Sequence, residues 1–199
     1  MGTQFDYHRL VVGYHGCDRS VGEAVLLRQG TLQPSNNPWD WLGKGIYFWE
    51  HGPERAWEFA AWKQRRREVQ EPFVLGAYIH LGRCFDLTDT AATSQLGVFY
   101  DDFKLDMEGE GLVLPLNRPG RGKDPDPDFI RRELDCAVLN HGLAKLESAA
   151  NAVRVDTVRG VFVEGEPAYP DARIHLKTHV QIAVRDPQCI IGYFLPASL

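Results

Sequence analysis

The chain has 199 residues, of which 44% are hydrophobic and 25% are charged. This length and composition are typical of one folded domain with a sizeable core, and they exclude a largely disordered chain. Acidic residues outnumber basic ones by 27 to 22, which gives a net charge of −5 at pH 7. A general nucleic-acid-binding domain is usually basic, so we expect a single acidic globular domain over residues 1–199, with at most a local basic patch.

Cysteine and histidine usage gives no indication of a metal site. The four cysteines are far apart and form no Cys-x-x-Cys pair, whereas zinc ligands are usually closely spaced. His175 and His179 have a spacing of four, but no third ligand is in view. A domain with a full core needs no disulfide framework, so we expect reduced thiols. There is no N-terminal apolar run and no apolar stretch of about 18 residues, so we expect a cytoplasmic protein without a membrane segment.

The first predicted elements are a strand and a helix. Residues 10–14 form a short apolar run that predicts a strand, and the glycines and aromatic residues at 13–16 predict a tight turn at its end. Asp18 or Ser20 can cap the next segment, in which apolar residues recur at helical spacing until Gly30. The chain is therefore predicted to open with a strand, a turn and a helix.

A polar, turn-rich segment leads from this unit to a second strand and a second helix. Residues 46–49 are apolar and aromatic, and Pro53 stands in the first turn of an amphipathic helix. The basic residues 63–67 at the end of that helix either complement the helix dipole or form a local patch for an anion or nucleic acid. Alternating apolar residues over 73–81 predict a half-buried strand that continues past Gly82, where a bulge is expected.

The pattern changes between residues 91 and 159. Two helical segments flank a loop over 117–128 that is rich in proline, glycine and aspartate, and the second helix, over 129–149, is predicted to bend near Gly142. Strands then resume at 160–163, 179–184 and 189–195. We expect an α+β fold in which strands far apart in the sequence share one sheet, with residues 91–159 as a helical insert.

Three short segments are more specific than a scaffold requires. The first is Tyr-His-Gly at 14–16, the second is Gly-Lys-Gly-Ile-Tyr-Phe at 43–48, and the third is His-Val-Gln-Ile at 179–182. Taken singly, each has a structural interpretation, because strand-end histidines often serve as hydrogen-bonding groups and aromatic strands are usually core.

Taken together and in order, these segments resemble the catalytic domain of the diphtheria-toxin-like ADP-ribosyltransferases, the group that contains the poly(ADP-ribose) polymerases. Residues 42–48 match a segment of that family letter for letter, and residues 14–16 are similar to its first strand. The segments 73–87 and 180–194 are similar to later strands of the family. The resemblance covers most of the chain apart from residues 91–159, and it implies a split β-sheet core with flanking helices.

The resemblance also implies an NAD site in which His15, Tyr47 and Gln181 are the catalytic residues. His15 would bond the hydroxyls of the adenosine-side ribose, and Tyr47 would form one face of a stack around the nicotinamide. NAD would be a co-substrate, and no metal is implied. The residues expected to contact NAD besides these three are Gly16, Gly45, and either Trp57 or Phe59 on the next helix.

Gln181 departs from the pattern of the polymerases, which have a glutamate at this position. A carboxylate there holds a ribose hydroxyl, stabilises developing positive charge and assists the nucleophile, whereas an amide keeps an acceptor oxygen but loses the charge and the basicity. Loss of one preorganised electrostatic contact costs about 2.7–4 kcal/mol, so polymer synthesis is not expected. Another carboxylate could compensate, and the candidates are Glu50, Glu164 and Glu166, each of which can equally be a solvated surface group.

These features lead to the hypothesis of an NAD-dependent mono-ADP-ribosyltransferase, a bacterial toxin or defence effector that transfers ADP-ribose to a protein or nucleic-acid acceptor. The loop before His179 would face that acceptor. An NAD glycohydrolase on the same fold would differ only in using water, and a third alternative is a non-catalytic module that binds NAD or ADP-ribose. The presence of both His15 and Tyr47 favours a catalytic member. By family analogy alone, we expect an inhibitor protein as a partner.

Overall fold

The structure is a computed structural model that describes residues 6–119, 128, 130–150 and 152–197. Within these residues the chain forms four helices and a mixed sheet of six strands, together with a separate two-stranded ladder. The predicted α+β class is therefore confirmed. Most of the loop predicted over 117–128 lies outside the described residues.

The helices, in chain order, are α1 (Arg19–Leu26), α2 (Pro53–Arg65), α3 (Thr90–Gly109) and α4 (Glu133–Ser148). The strands are β1 (Asp6–Asp18), β2 (Ile46–Glu50), β3 (Pro72–Asp86), β4 (Asn117–Arg118), β5 (Arg131–Arg132), β6 (Thr157–Phe162), β7 (His179–Val184) and β8 (Ile190–Phe194). The pair β4 and β5 forms the separate ladder between α3 and α4.

The pairings of the main sheet form a closed ring of five strands. β1 pairs with both β2 and β3, β2 pairs with β7, β7 pairs with β6, and β6 returns to β3. The β3–β6 pair is parallel and the others are antiparallel, while β8 is added to β3 outside the ring. Strands from both ends of the chain therefore become neighbours, as the sequence pattern predicts.

The two faces of this sheet are buried in different clusters. On one face, which we call the Phe48 face, Phe48 and Ile182 belong to the larger apolar cluster. On the other, which we call the Gln181 face, α3 and α4 cover the sheet through residues such as Phe99 and Leu139, which pack with Val158 of β6. α2 packs on the same side through Ala56. The helices predicted as an insert thus share the core of the sheet, and β6 begins within the segment that was predicted to be helical.

β1 is longer than predicted. It runs through residues 13–16 and pairs with β3 as far as Asp18, so the tight turn predicted there is wrong. His15 and Gly16 consequently lie within a strand rather than at its end. A Cβ atom at Gly16 would overlap the carbonyl oxygen of Ala56, so this glycine is required by the close packing of α2 on β1. Asp18 is the N-cap of α1, which confirms one of the two predicted caps.

Two other glycines have identifiable packing roles. α4 continues without interruption through Gly142. A Cβ atom at Gly142 would overlap the Phe99 ring, and the glycine therefore allows α3 and α4 to approach closely. Gly82 has a φ angle of 59°, and the β1–β3 register shifts between Tyr7 and Leu10, beside Gly82. The predicted irregularity at Gly82 is confirmed.

All four cysteines are buried, and none of them is joined in a disulfide. Burial raises the pKa of Cys17, Cys136 and Cys189 to about 11 and that of Cys84 to about 12. In the described part of the chain, no helix combines the length and the apolar character needed to cross a membrane.

Candidate active site

His15, Tyr47 and Gln181 lie on three adjacent strands, β1, β2 and β7. β2 is the middle strand of the three, and its Trp49 stands opposite Tyr14 of β1 on one side and opposite Gln181 of β7 on the other. Residues that are far apart in the sequence are therefore brought to one region of the sheet.

His15 lies where β1 and β2 separate. Tyr14 and Trp49 form the last pair between these strands, and Nδ1 of His15 then bonds the carbonyl oxygen of Tyr47 at 2.7 Å. Since a carbonyl can only accept, Nδ1 carries the proton. Burial lowers the pKa of His15 to about 4, so the ring is neutral at pH 7. Its Nε2 atom is then an acceptor that a ligand hydroxyl can use.

The Tyr47 side chain has a structural role. Its hydroxyl donates to the carbonyl oxygen of Gly43 at 2.8 Å and accepts from the backbone N–H of Leu42 at 3.0 Å. These bonds close the Gly-Lys-Gly loop against β2, and burial raises the pKa of Tyr47 well above its usual value. Gly45 is also engaged, because its N–H and carbonyl groups both bond the backbone of Ser35.

Gln181 is buried, with 5% of its surface exposed. Its Oε1 atom accepts from Nε1 of Trp41 at 2.6 Å. The indole nitrogen can only donate, so this bond determines which way the amide is turned. The acceptor oxygen expected to serve a ribose hydroxyl is therefore already used by Trp41. Within the described residues the amide nitrogen makes no hydrogen bond, and it is the group left to donate to a ligand.

Trp41 is at the centre of what we call the Trp41 cluster, which consists of Trp41, Arg132, Phe162, His179 and Gln181. Trp41 stacks on Phe162 with ring centroids 3.4 Å apart, and the Arg132 guanidinium lies 4.4 Å from the Trp41 ring centroid. The His179 ring lies 5.8 Å from both aromatic rings. Sequence reasoning assigned Trp41 to a loop and gave it no functional role.

His179 is another buried polar member of this cluster, with 4% of its side chain accessible. Nδ1 bonds the carbonyl oxygen of Lys177 at 2.7 Å, and Nε2 is buried without a hydrogen-bond partner in the described residues. Burial, assisted by the positive charges of Arg55 and Arg132, lowers the pKa of His179 to about 4. The ring is neutral at pH 7, and Nε2 is an unprotonated acceptor.

Of the three candidate carboxylates, Glu164 is the one beside the Trp41 cluster. Its Oε2 atom accepts from Nη2 of Arg55 at 3.0 Å and lies 3.7 Å from Nδ1 of His179. The Glu164 side chain is 10% exposed. A carboxylate in this position can stabilise a positive charge that forms on the His179 ring.

The other two carboxylates are elsewhere. Glu50 bonds Arg159 at 2.6 Å, and Arg159 also pairs with the buried Asp86, so Glu50 belongs to an ion cluster. Its position in β2, two residues from Phe48, places it on the Phe48 face. Glu166 is exposed.

The aromatic candidates on α2 do not contact Tyr47. Phe59 lies 5.0 Å from the Trp49 ring and stacks on Trp62, whereas Trp57 is 43% exposed. The structure also separates the catalytic candidates by face. Tyr47 and Gln181 are directed to the Gln181 face. The His15 ring lies on the Phe48 face, where its centroid is 5.6 Å from that of the Phe48 ring. A ligand would have to occupy the split between β1 and β2 to reach both sides.

No protein-family model, curated protein or solved structure matches this chain. The site contains two neutral imidazoles with acceptor nitrogens, an amide with an unbonded donor nitrogen, and one carboxylate close to His179. This set of donors and acceptors is suited to binding hydroxyl groups, which can donate and accept at once.

Proposed function

We propose that the chain is an NAD-cleaving enzyme with an ADP-ribosyltransferase-like core, which transfers a single ADP-ribose unit to a macromolecular acceptor. One observation carries the proposal: the three residues identified from the sequence motifs lie on adjacent strands, and His15 bonds Tyr47 in the split between two of them. The spacing of these residues along the chain does not by itself require that they meet.

The chemistry of the His15 and Gln181 side chains supports the same proposal. The neutral Nε2 of His15 would accept from a hydroxyl of the adenosine-side ribose, and the Gln181 amide nitrogen would donate to a hydroxyl of the nicotinamide-side ribose. The glycosidic bond then breaks with its electron pair leaving on nicotinamide, and the ribose carbon takes on positive charge. Gln181 lacks the carboxylate that would hold and deprotonate a ribose hydroxyl as the acceptor at its own position, so we infer transfer of one unit to a different acceptor rather than chain elongation.

The connection between β6 and β7 favours a macromolecular acceptor over water. It leads directly into His179, and its exposed apolar side chains include Tyr169, Ile174 and Leu176. Apolar side chains exposed close together supply contact area for a protein surface. We therefore favour a protein acceptor, and a glycohydrolase is the second candidate function.

The test is nicotinamide release from NAD by the purified chain, alone and with cell lysate, together with a His15→Asn variant. Asparagine keeps a donor for the Tyr47 carbonyl but lacks Nε2, so kcat/KM should fall about tenfold or more, since a lost hydrogen bond to a buried polar group costs about 1–3 kcal/mol. The matched control is His51→Asn, because His51 is exposed and its φ of 52° is one that asparagine tolerates.

Each outcome identifies one function. Release with transfer of adenine label to a lysate protein supports the transferase, whereas release by the chain alone without labelled protein identifies a glycohydrolase. NAD binding without release identifies a binding module. Full activity of the His15→Asn variant would contradict the assigned site. If the wild-type chain neither binds NAD nor releases nicotinamide from it, the proposal that NAD is the substrate is wrong.

A further inference from the structure

The buried Nε2 atom of His179 has no role in the fold. It makes no hydrogen bond within the described residues, although the side chain is 4% exposed. Most buried polar atoms in folded proteins have a partner, and an exception needs an explanation. Since Nδ1 is held by the Lys177 carbonyl at 2.7 Å, Nε2 carries the lone pair. The atom is therefore a buried proton acceptor without a donor.

The position of His179 indicates what the donor would be. It is the first residue of β7, at the end of the connection that carries the exposed apolar side chains, and it is two residues before Gln181. Successive side chains of a strand point to opposite faces, so His179 and Gln181 share the Gln181 face. His179 thus lies between the surface proposed to meet the acceptor and the residue proposed to meet the nicotinamide ribose.

Given the proposed function, we infer that His179 is a catalytic residue that takes the proton from the acceptor hydroxyl. The bond between the ribose C1′ atom and the nicotinamide nitrogen breaks, and its electron pair leaves with nicotinamide. The acceptor oxygen forms the new bond to C1′ and gives its proton to Nε2 of His179. The resulting imidazolium then releases this proton to solvent, so no oxidant or reductant is needed.

The surroundings of the ring suit this step. Burial and the charges of Arg55 and Arg132 keep the ring neutral at pH 7, with a pKa of about 4. A weak base suffices here, because an oxygen that has begun to bond an electron-deficient carbon is far more acidic than a free hydroxyl. Glu164, at 3.7 Å from Nδ1, would stabilise the imidazolium as it forms.

Because Nε2 is buried, a neighbouring side chain must move before a ligand can reach it. The Trp41 and Phe162 rings both lie against the His179 ring. Phe162 is buried, whereas Trp41 is partly exposed and is therefore the side chain that can move more easily. Trp41 is also bonded to Gln181. Displacement of Trp41 would therefore uncover both His179 and Gln181 in one movement.

The test uses the full chain and the variants His179→Asn and His179→Gln, neither of which can take up a proton. We expect an unchanged Kd for NAD and a fall of about 100-fold or more in the rate of ADP-ribose transfer, with partial recovery when imidazole is added. The matched control is His141→Asn, because Nε2 of His141 is also buried without a hydrogen-bond partner in the described residues, whereas its ring lies on α4 against Phe103 and outside the Trp41 cluster. It should transfer ADP-ribose at the wild-type rate.

A transfer rate within about threefold of wild type in either His179 variant would overturn the inference and leave the proposed function standing, whereas a wild-type chain that neither binds nor cleaves NAD would overturn both. Parallel loss of NAD binding and transfer would assign His179 to substrate binding instead of proton removal. If neither variant unfolds cooperatively, Glu164→Gln is the second test. It should lower the transfer rate about tenfold without changing the Kd for NAD, and an unchanged rate would contradict the inference.

Discussion

The hydrogen bond between Trp41 and Gln181 leads to a prediction that folding stability alone can test. Trp41→Phe removes the N–H group that donates to Oε1 of Gln181 at 2.6 Å, and it keeps an aromatic ring to stack on Phe162. The Gln181 oxygen then loses its partner in a site that is 5% exposed. We expect a loss of about 1–3 kcal/mol in the free energy of unfolding, because a buried acceptor is left without a donor.

Part of this loss comes from the smaller phenylalanine ring, and a double-mutant cycle removes that part. Gln181→Met has nearly the same length and lacks both polar atoms. Replacing both partners of a hydrogen bond by apolar groups is far less costly than replacing one. The double variant should therefore be more stable than the sum of the single changes predicts, with a coupling energy of about 1 kcal/mol.

Urea unfolding of the four proteins measures the coupling, provided that the m-value stays constant. The matched control cycle pairs Trp39→Phe with Gln181→Met. Trp39 is 41% exposed and its ring lies near Arg131, so its coupling to Gln181 should be close to zero. Additive losses in the Trp41 cycle, within about 0.5 kcal/mol, would refute the hydrogen bond and the amide orientation derived from it.

Three further predictions concern stability and reactivity. The pKa values of His15 and His179 are lowered from 6.5 to about 4, so the unfolded chain binds more protons between these values and stability should fall as the pH falls from 6.5 to 4. The loss is up to about 3 kcal/mol per histidine; urea unfolding at several pH values checks it, and His15→Asn should weaken the dependence. The four buried thiols, with pKa values raised to about 11 or 12, should resist a thiol reagent at pH 8 until the chain unfolds, and rapid labelling of the folded chain would contradict this. Gly142→Ala should cost about 1–3 kcal/mol because its Cβ atom would overlap the Phe99 ring, whereas Gly97→Ala, with no atom within 4 Å, should stabilise α3; thermal unfolding compares the two.

Local pattern predicts the elements whose apolar residues recur at one period, although β3 is buried on both faces over Pro72–Ala77 and is not the half-buried strand expected. The alternation over 73–81 predicts β3, and Pro53 followed by apolar residues at helical spacing predicts α2; both elements are confirmed. The turn expected at 13–16 is wrong because glycine is favoured in turns but is also required where another backbone comes close. At Gly16 the approaching group is the Ala56 carbonyl, a contact that depends on tertiary packing and has no local pattern.

The candidate site likewise combines features that the sequence predicts with features that depend on tertiary packing. The resemblance predicts that His15, Tyr47 and Gln181 share one site; their strands are adjacent, but the His15 ring lies on the Phe48 face and the other two side chains on the Gln181 face. The roles of Trp41 and His179 could not be predicted, because they arise from contacts with residues on distant elements. The sequence places Trp41 in a polar loop and His179 at the start of a strand, and neither position indicates a functional role. Only the structure shows that both rings lie against Phe162.

The environment of Gln181 suggests why this chain has an amide there. A glutamate could also accept from Trp41, and its charge would be favoured by Arg132, whose guanidinium lies 4.4 Å from the Trp41 ring centroid. Electrostatics therefore does not exclude a carboxylate at this position. A carboxylate would, however, offer a second acceptor where the amide has a donor nitrogen. The glutamine can hold Trp41 with its oxygen while the site is closed and bind a sugar hydroxyl with its nitrogen once Trp41 has moved, and on the proposed mechanism the removal of a proton then falls to His179.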